Sequence, residues 1–125
     1  DVASGATKEL QTITTLPSEF VGMNTTAEIR VHPSGQFMYA SNRGHDSIAV
    51  FGVERASGKL SARGQTSTGG STPRNFNVDP SGKYLMAANQ KSDSIVTFSI
   101  DGKTGALKQV GEPLSVPVPV CVLFP

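Results

Sequence analysis

The feature that most constrains this 125-residue chain is that it repeats itself. Thr26–Leu60 laid over Pro73–Leu107, at an offset of 47 and without a gap, gives 12 identities in 35 positions. Among them are Val31/Val78, Pro33/Pro80, Ser34/Ser81, Gly35/Gly82, Asn42/Asn89, Asp46/Asp93, Ser47/Ser94 and Phe51/Phe98. Ser4-Gly5 and Leu10 read as the end of an earlier unit, and Pro119 to Phe124 resembles Pro73 to Val78, the start of another. Repeats of this kind are single supersecondary units that bury their apolar faces against one another, since one unit alone cannot enclose a core.

Each unit reads as four short strands. Ala27, Ile29 and Val31 alternate with Glu28, Arg30 and His32, the period of a half-buried strand over Ala27–His32. Pro33-Ser34-Gly35 is a turn, because Pro presets φ and Gly tolerates positive φ. Phe37–Ser41 is nearly continuous in apolar and small residues, as a strand covered on both faces should be. Asn42 to His45 turns the chain into Ser47–Val53, and Leu60 to about Thr66 is a more polar, outermost strand. The second unit repeats this as Arg74–Asp79, Tyr84–Ala88, Ser94–Ile100 and Leu107 onward. No segment carries the 3.6-residue period of an amphipathic helix.

Four antiparallel strands per unit describe a β-propeller blade, of which closed propellers use about 4–8. The expected fold is therefore all-β, with blades over residues 26–66 and 73–114. Residues 1–22 are expected to end a preceding blade, and 116–125, chiefly Val118–Phe124, to form the buried inner strand of a closing one. This is about two and a half blades, a piece of a ring. Uncovered blade faces are expected to make it self-associate or pair with the remaining blades.

Composition excludes several classes. Eleven Lys and Arg against ten Asp and Glu leave a net charge of +1, with no basic excess to drive nucleic-acid binding. The single Cys121 excludes an intrachain disulfide or a cysteine cluster and, between Val120 and Val122, reads as a small buried hydrophobe. The longest apolar run, Val116 to Pro125, is broken by prolines and falls short of the roughly 18 residues of a membrane helix. Asp1 in place of Met, with no leader, reads as processing or truncation. One thiol gives no redox signal, and a cytoplasmic setting is the favoured expectation. Gly102-Lys103-Thr104 lacks the upstream Gly of a phosphate loop and precedes a strand. His32 and His45 fall at opposite ends of the blade, so no metal is expected.

The repeat supplies its own control for locating a site. Positions shared by both copies build the blade, while polar positions present in one copy only are free for function. Those are Glu28 (Asn75 in the other copy), His32 (Asp79), Arg43 (Gln90), His45 (Ser92) and Arg74 (Ala27). In an antiparallel blade the start of the first strand and the turn between the second and third share a rim. Glu28, Arg43, His45, Arg74, Asn75, Gln90 and Lys91 fall on or near it, whereas His32 lies at the other end as a turn-end surface residue. Arginine binds carboxylate or phosphate bidentately and stabilises an oxyanion, and Glu28 or His45 is a candidate proton acceptor. The expected catalytic set is Glu28, His45 and Arg74, with Arg43, Asn75 and Gln90 binding substrate. Each also has a plain structural role open to it: a solvated loop charge for Arg43 or Arg74, an interblade partner for Glu28. Asp46 reads as a turn cap, and Asn42 and Asn89 as groups satisfying turn backbone.

The strings Thr25-Thr26-Ala27-Glu28-Ile29-Arg30-Val31-His32-Pro33-Ser34-Gly35, Tyr39-Ala40-Ser41-Asn42-Arg43-Gly44-His45-Asp46-Ser47-Ile48, Thr72-Pro73-Arg74-Asn75-Phe76 and Ala88-Asn89-Gln90 closely resemble the lactonase family of seven-bladed propellers. That family includes the propeller-type 6-phosphogluconolactonases and the fungal carboxy-muconate lactonising enzymes. The resemblance runs from about Gly5 to Phe124 and matches the C-terminal part of the family. It implies a seven-bladed ring and hydrolysis of a sugar lactone without a cofactor, with a small anionic lactone as partner and neither nucleic acid nor membrane. The alternative is a non-catalytic propeller that binds or scaffolds through its rim, which should expose apolar or aromatic side chains there.

Overall fold

In the computed structural model, which describes residues 3–125, the first repeat unit folds as β1 (Thr25–Val31), β2 (Phe37–Arg43), β3 (Ser47–Val53) and β4 (Leu60–Ser67). The second folds as β5 (Pro73–Val78), β6 (Tyr84–Asn89), β7 (Ser94–Ile100) and β8 (Leu107–Gln109), with a short β9 (Leu114–Ser115). Each is an antiparallel meander, β1-β2-β3-β4 and β5-β6-β7-β8, with β9 also paired to β7. The only helical element among the described residues is the 3-10 turn Gln90–Ser92. The all-β architecture of propeller-type blades is thus present, without closure into a ring.

The repeated turn strings explain the strand ends. Gly35 N–H donates to His32 O and Gly82 N–H to Asp79 O, both at 2.8 Å, with both glycines at positive φ. β2 and β3 are buried almost throughout, whereas β4 is largely exposed, as its polar sequence anticipates.

The main core lies between the two sheets. Phe37, Tyr39, Ile48 and Val50 of the first pack against Phe76, Val78, Leu85, Ala87, Val96, Phe98 and Leu107 of the second. Burial pushes the Tyr39 phenol pKa up, and its hydroxyl donates to Gly105 O across this seam at 3.0 Å. A smaller cluster of Ala40, Ala49 and Phe51 on the far side of the first sheet receives Ile13. The described residues before β1 form no strand, but they run along this sheet: the Gln11 side chain exchanges two hydrogen bonds with the Leu60 backbone.

Asn42 and Asn89 are fully buried, and both satisfy backbone outside their own turn. Asn42 Nδ2 donates to Thr15 O and Asn89 Nδ2 to Thr68 O, each at 3.0 Å. Each asparagine therefore holds the segment leading into its own blade, and Thr15 occupies the role that Thr68 has at the end of β4.

Three expectations need correction. Val118–Phe124 forms no strand: Val118 leaves the extended region at φ 46°, and the flanking Pro117 and Pro119 have no N–H to give a ladder. The segment is held instead by side chains of β5: Val122 N–H donates to Asn75 Oδ1 at 2.8 Å, and Asn77 Nδ2 donates to Val122 O at 3.1 Å. Val122 is buried, but Cys121 is exposed. His32 is not a surface residue. It is buried between the sheets, with its Nε2 at 2.8 Å from Gly82 O and its Nδ1 accepting from Ser34 N–H at 3.1 Å.

Candidate functional site

The rim deduced from strand direction exists as a cleft of about 610 Å³ between the two sheets. Arg43 and Gly44 from the end of β2, Asp46 from the following turn, Ser71 and Thr72 before β5, Arg74 within it, and Gln90 and Lys91 of the 3-10 turn line it, with Met23, Asn24 and Thr25 closing one side. Three cations, Arg43, Arg74 and Lys91, thus face a space whose one anionic lining group is Asp46.

Local backbone irregularity aims these groups. β5 pairs Pro73 with Asn89 and Asn75 with Ala88, so Arg74 is the extra residue of a bulge. A bulge re-aims one side chain and disturbs the ladder there. The Arg74 side chain is exposed, and its Nη1 donates to Gln90 Oε1 at 3.3 Å. β1 has its register shift at the same place, between Thr26 and Ile29, and Glu28 N–H is satisfied by Ser41 Oγ at 3.0 Å. Arg43 Nη2 donates to Thr26 O at 3.3 Å, while its buried Nε has no hydrogen-bond partner. Gly44, at φ 126°, is required by close approach: a Cβ there would lie 2.2 Å from Met23 O.

Of the expected site residues, the cleft brings together Arg43, Arg74 and Gln90, and adds Lys91. Glu28 and Asn75 lie outside its lining and are paired with each other, Asn75 Nδ2 donating to Glu28 Oε2. They are equivalent positions of the two units, joined across the seam. Arg30 Nε stands 3.4 Å from Glu28 Oε1, so this partly exposed carboxylate has both a cation and an amide donor. Asn75 is buried and bridges Glu28 of β1 to the C-terminal segment at Val122, the position of a structural clamp more than of a substrate contact. His45 is also outside the lining. Its ring stacks edge-on with Phe20 at 5.0 Å, its Nδ1 is 2.7 Å from Ser47 Oγ, and its N–H donates to Asn24 Oδ1.

Asp46 and Thr72 are among the cleft groups that sequence reasoning missed. Asp46 was legible as a repeated residue, but its reach into the next unit was not. Thr72 gave no signal, since a β-branched residue at φ 60° is not something a sequence announces. No group of three or more His, Cys, Asp or Glu among the described residues is placed to hold a metal ion. No helix among them is long and apolar enough to cross a membrane.

Comparison with known proteins places this geometry in a family. Residues 1–124 match the family described as "Lactonase, 7-bladed beta-propeller". The chain is 40% identical to the 6-phosphogluconolactonase of Bacillus subtilis (strain 168) over 121 residues, covering 97% of this chain and 35% of that protein. It is 48% identical over 71 residues to an uncharacterized protein of Lactococcus lactis subsp. cremoris, covering 57% of this chain and 21% of that one. Among solved structures, a Lactobacillus plantarum protein superposes with a TM-score of 0.91 at 36% identity, over 97% of this chain and 35% of that one. The periplasmic gluconolactonase of Pseudomonas aeruginosa does so with a TM-score of 0.87 at 31% identity, over 93% and 32%. The chain therefore spans about a fifth to a third of the length of the curated relatives it matches, and it belongs to the lactonase family of seven-bladed β-propellers.

Proposed function

We propose that the intact propeller containing this chain hydrolyses an anionic sugar lactone, such as 6-phosphogluconolactone, to the open-chain acid, and that the cleft between the two blades is part of its site. The observation that carries this reading is the meeting of Arg43, Arg74 and Lys91 in one cleft of a chain 40% identical to a 6-phosphogluconolactonase. Water adds to the lactone carbonyl, the tetrahedral oxyanion collapses, and the ring oxygen leaves and takes up a proton. The arginines bind the substrate anion and the developing oxyanion, where a preplaced charge acts most strongly. Glu28 or His45 receives the proton from water. Neither lines this cleft, so each would act from its edge, in the space that further blades enclose. A binding platform would present apolar or aromatic side chains here, and Met23 is the one large apolar residue of the lining.

The test is lactone hydrolysis by the intact protein, corrected for spontaneous opening. Arg74→Ala should cost about 3 kcal/mol at the transition state, roughly a hundredfold in rate. Glu28→Gln and His45→Asn identify the proton acceptor, since loss of the residue that performs the step should cost about 10²–10⁴-fold in rate and loss of the other little. His32→Ala, at the far end of the blade, should leave the rate per folded molecule nearly unchanged. Wild-type activity in Arg74→Ala with the fold intact excludes this assignment.

A further inference from the structure

We infer that Asp46 is a positioning residue that sets the place of Arg74 through a hydrogen-bonded clamp between blades, an inference that rests on the lactone-site reading above for its catalytic consequence. Asp46 sits in the left-handed region, at φ 52°. Its Oδ1 accepts from Gly44 N–H at 3.2 Å in its own turn and from Thr72 N–H at 2.9 Å in the next unit. Its carbonyl accepts from both Thr68 N–H and Thr68 Oγ1. The carboxylate thus fixes Thr72, whose φ of 60° is costly for a β-branched residue and persists only where the surroundings enforce it.

From Thr72 the connection continues to the cation. Thr72 O accepts from Gln90 N–H at 2.9 Å, and Gln90 Oε1 accepts from Arg74 Nη1 at 3.3 Å. Asp46, Thr72, Gln90 and Arg74 all line the cleft. Releasing Thr72 frees both the start of the bulge that carries Arg74 and the turn that holds its guanidinium.

The second unit provides an internal control. Asp93, at φ 48°, accepts from Val118 N–H at 2.8 Å through Oδ1 and from Val116 N–H through its carbonyl. Val118 precedes Pro119 at φ 46°, as Thr72 precedes Pro73. The same clamp therefore recurs, but the Asp93 carboxylate holds Val118 and not Thr72, and Asp93 meets the Arg74 chain only as the residue that closes the 3-10 turn Gln90–Ser92. A merely structural role would make the two aspartates equivalent.

The experiment compares Asp46→Ala, Asp46→Asn, Asp93→Ala and Arg74→Ala in the intact propeller, measuring kcat and KM for the lactone, thermal midpoint, and hydrogen exchange at the Thr72 and Gln90 amides. Asp46→Ala should speed exchange at both amides and lower kcat/KM between about tenfold and a hundredfold, the cost of a misplaced binding group. Asp46→Asn keeps an acceptor oxygen and should recover most of that loss. Asp93→Ala should lower the midpoint similarly while keeping kcat/KM. Equal losses of kcat/KM in Asp46→Ala and Asp93→Ala, no loss in either, or failure of Asp46→Asn to recover would overturn the positioning role. Unchanged exchange at Thr72 and Gln90 would overturn the clamp itself. An inert Arg74→Ala refutes the site reading instead, and the exchange measurement still decides the clamp.

Discussion

Gly35 and Gly82 hold the same position in the two units, at φ 70° and 72°, yet they meet different surroundings. A Cβ on Gly35 would meet nothing within 4 Å, whereas one on Gly82 would stand 2.8 Å from His32 Cε1 and Nε2. Both Gly→Ala changes carry the backbone cost of positive φ, about 1 kcal/mol or more. Only Gly82→Ala must also displace the imidazole bonded to Gly82 O, so it should cost about 1–3 kcal/mol beyond Gly35→Ala. Urea unfolding of the two variants measures the difference, and a His32→Ala background should abolish it. A difference that survives without the imidazole would show that His32 is not the obstacle. The glycines were readable as turn residues from their repetition. His32 was not readable as an interblade staple, because its partner stands 50 residues away on a second sheet, and nothing local separates a surface histidine from a seam histidine.

At the scale of elements, β1–β2 and β5–β6 are joined by the same turn built with two different side chains. His32 Nδ1 accepts from Ser34 N–H in the first, and Asp79 Oδ2 accepts from Ser81 N–H, each at 3.1 Å. Asp79 Oδ1 further accepts from Tyr84 N–H at 2.7 Å. Desolvation, the largest single influence on Asp79, would raise its pKa, but the hydrogen bonds from Ser81, Tyr84 and Lys83 together outweigh it and the net shift is below the ordinary 3.8. A carboxyl depressed in the fold adds stability above its unfolded pKa and loses it as pH falls through the folded one. The stability gap between wild type and Asp79→Ala should therefore be full at pH 5 to 7 and close as pH drops below 3.8; denaturant midpoints across that range measure it, and a gap unchanged at pH 2 to 3 would place the effect elsewhere. These strands and turns were legible because alternation and Pro-Ser-Gly strings are local signals. The bulges that carry Glu28 and Arg74 were not, because a bulge is set by the register of the partner strand. The division of the outer strand into β8 and β9 escaped for the same reason: both depend on where they meet β7.

At the scale of the molecule, equivalent residues with opposite burial mark the faces that await neighbours. Ile29 is 59% exposed where its counterpart Phe76 is 0%, and Tyr84 is 45% exposed where Phe37 is 3%. Phe76 and Phe37 are covered because each faces the other unit across the seam. Val31 of β1 is exposed as well, as are Val21 and Met23 in the segment before it, and Leu114, Val118, Val120 and Leu123 are exposed toward the C-terminal end. This much followed from the repeat alone, since a unit cannot cover both of its own faces. Burial of such apolar surface yields about 25 cal/mol per Å², so the isolated chain should self-associate at micromolar concentration, and sedimentation velocity should give a mass above 13.1 kDa. Cys121, exposed beside buried Val122, reports on the same face. In the isolated chain under dilute conditions, a bulky thiol reagent should label Cys121 rapidly. In the intact propeller a neighbouring blade would pair with Val118–Phe124 and complete the inner strand that this segment cannot form alone, so labelling should slow to the rate of local opening. Equal labelling rates in the two forms, with a compact monomer in sedimentation, would mean that this segment is not a seam and that the open faces tolerate water.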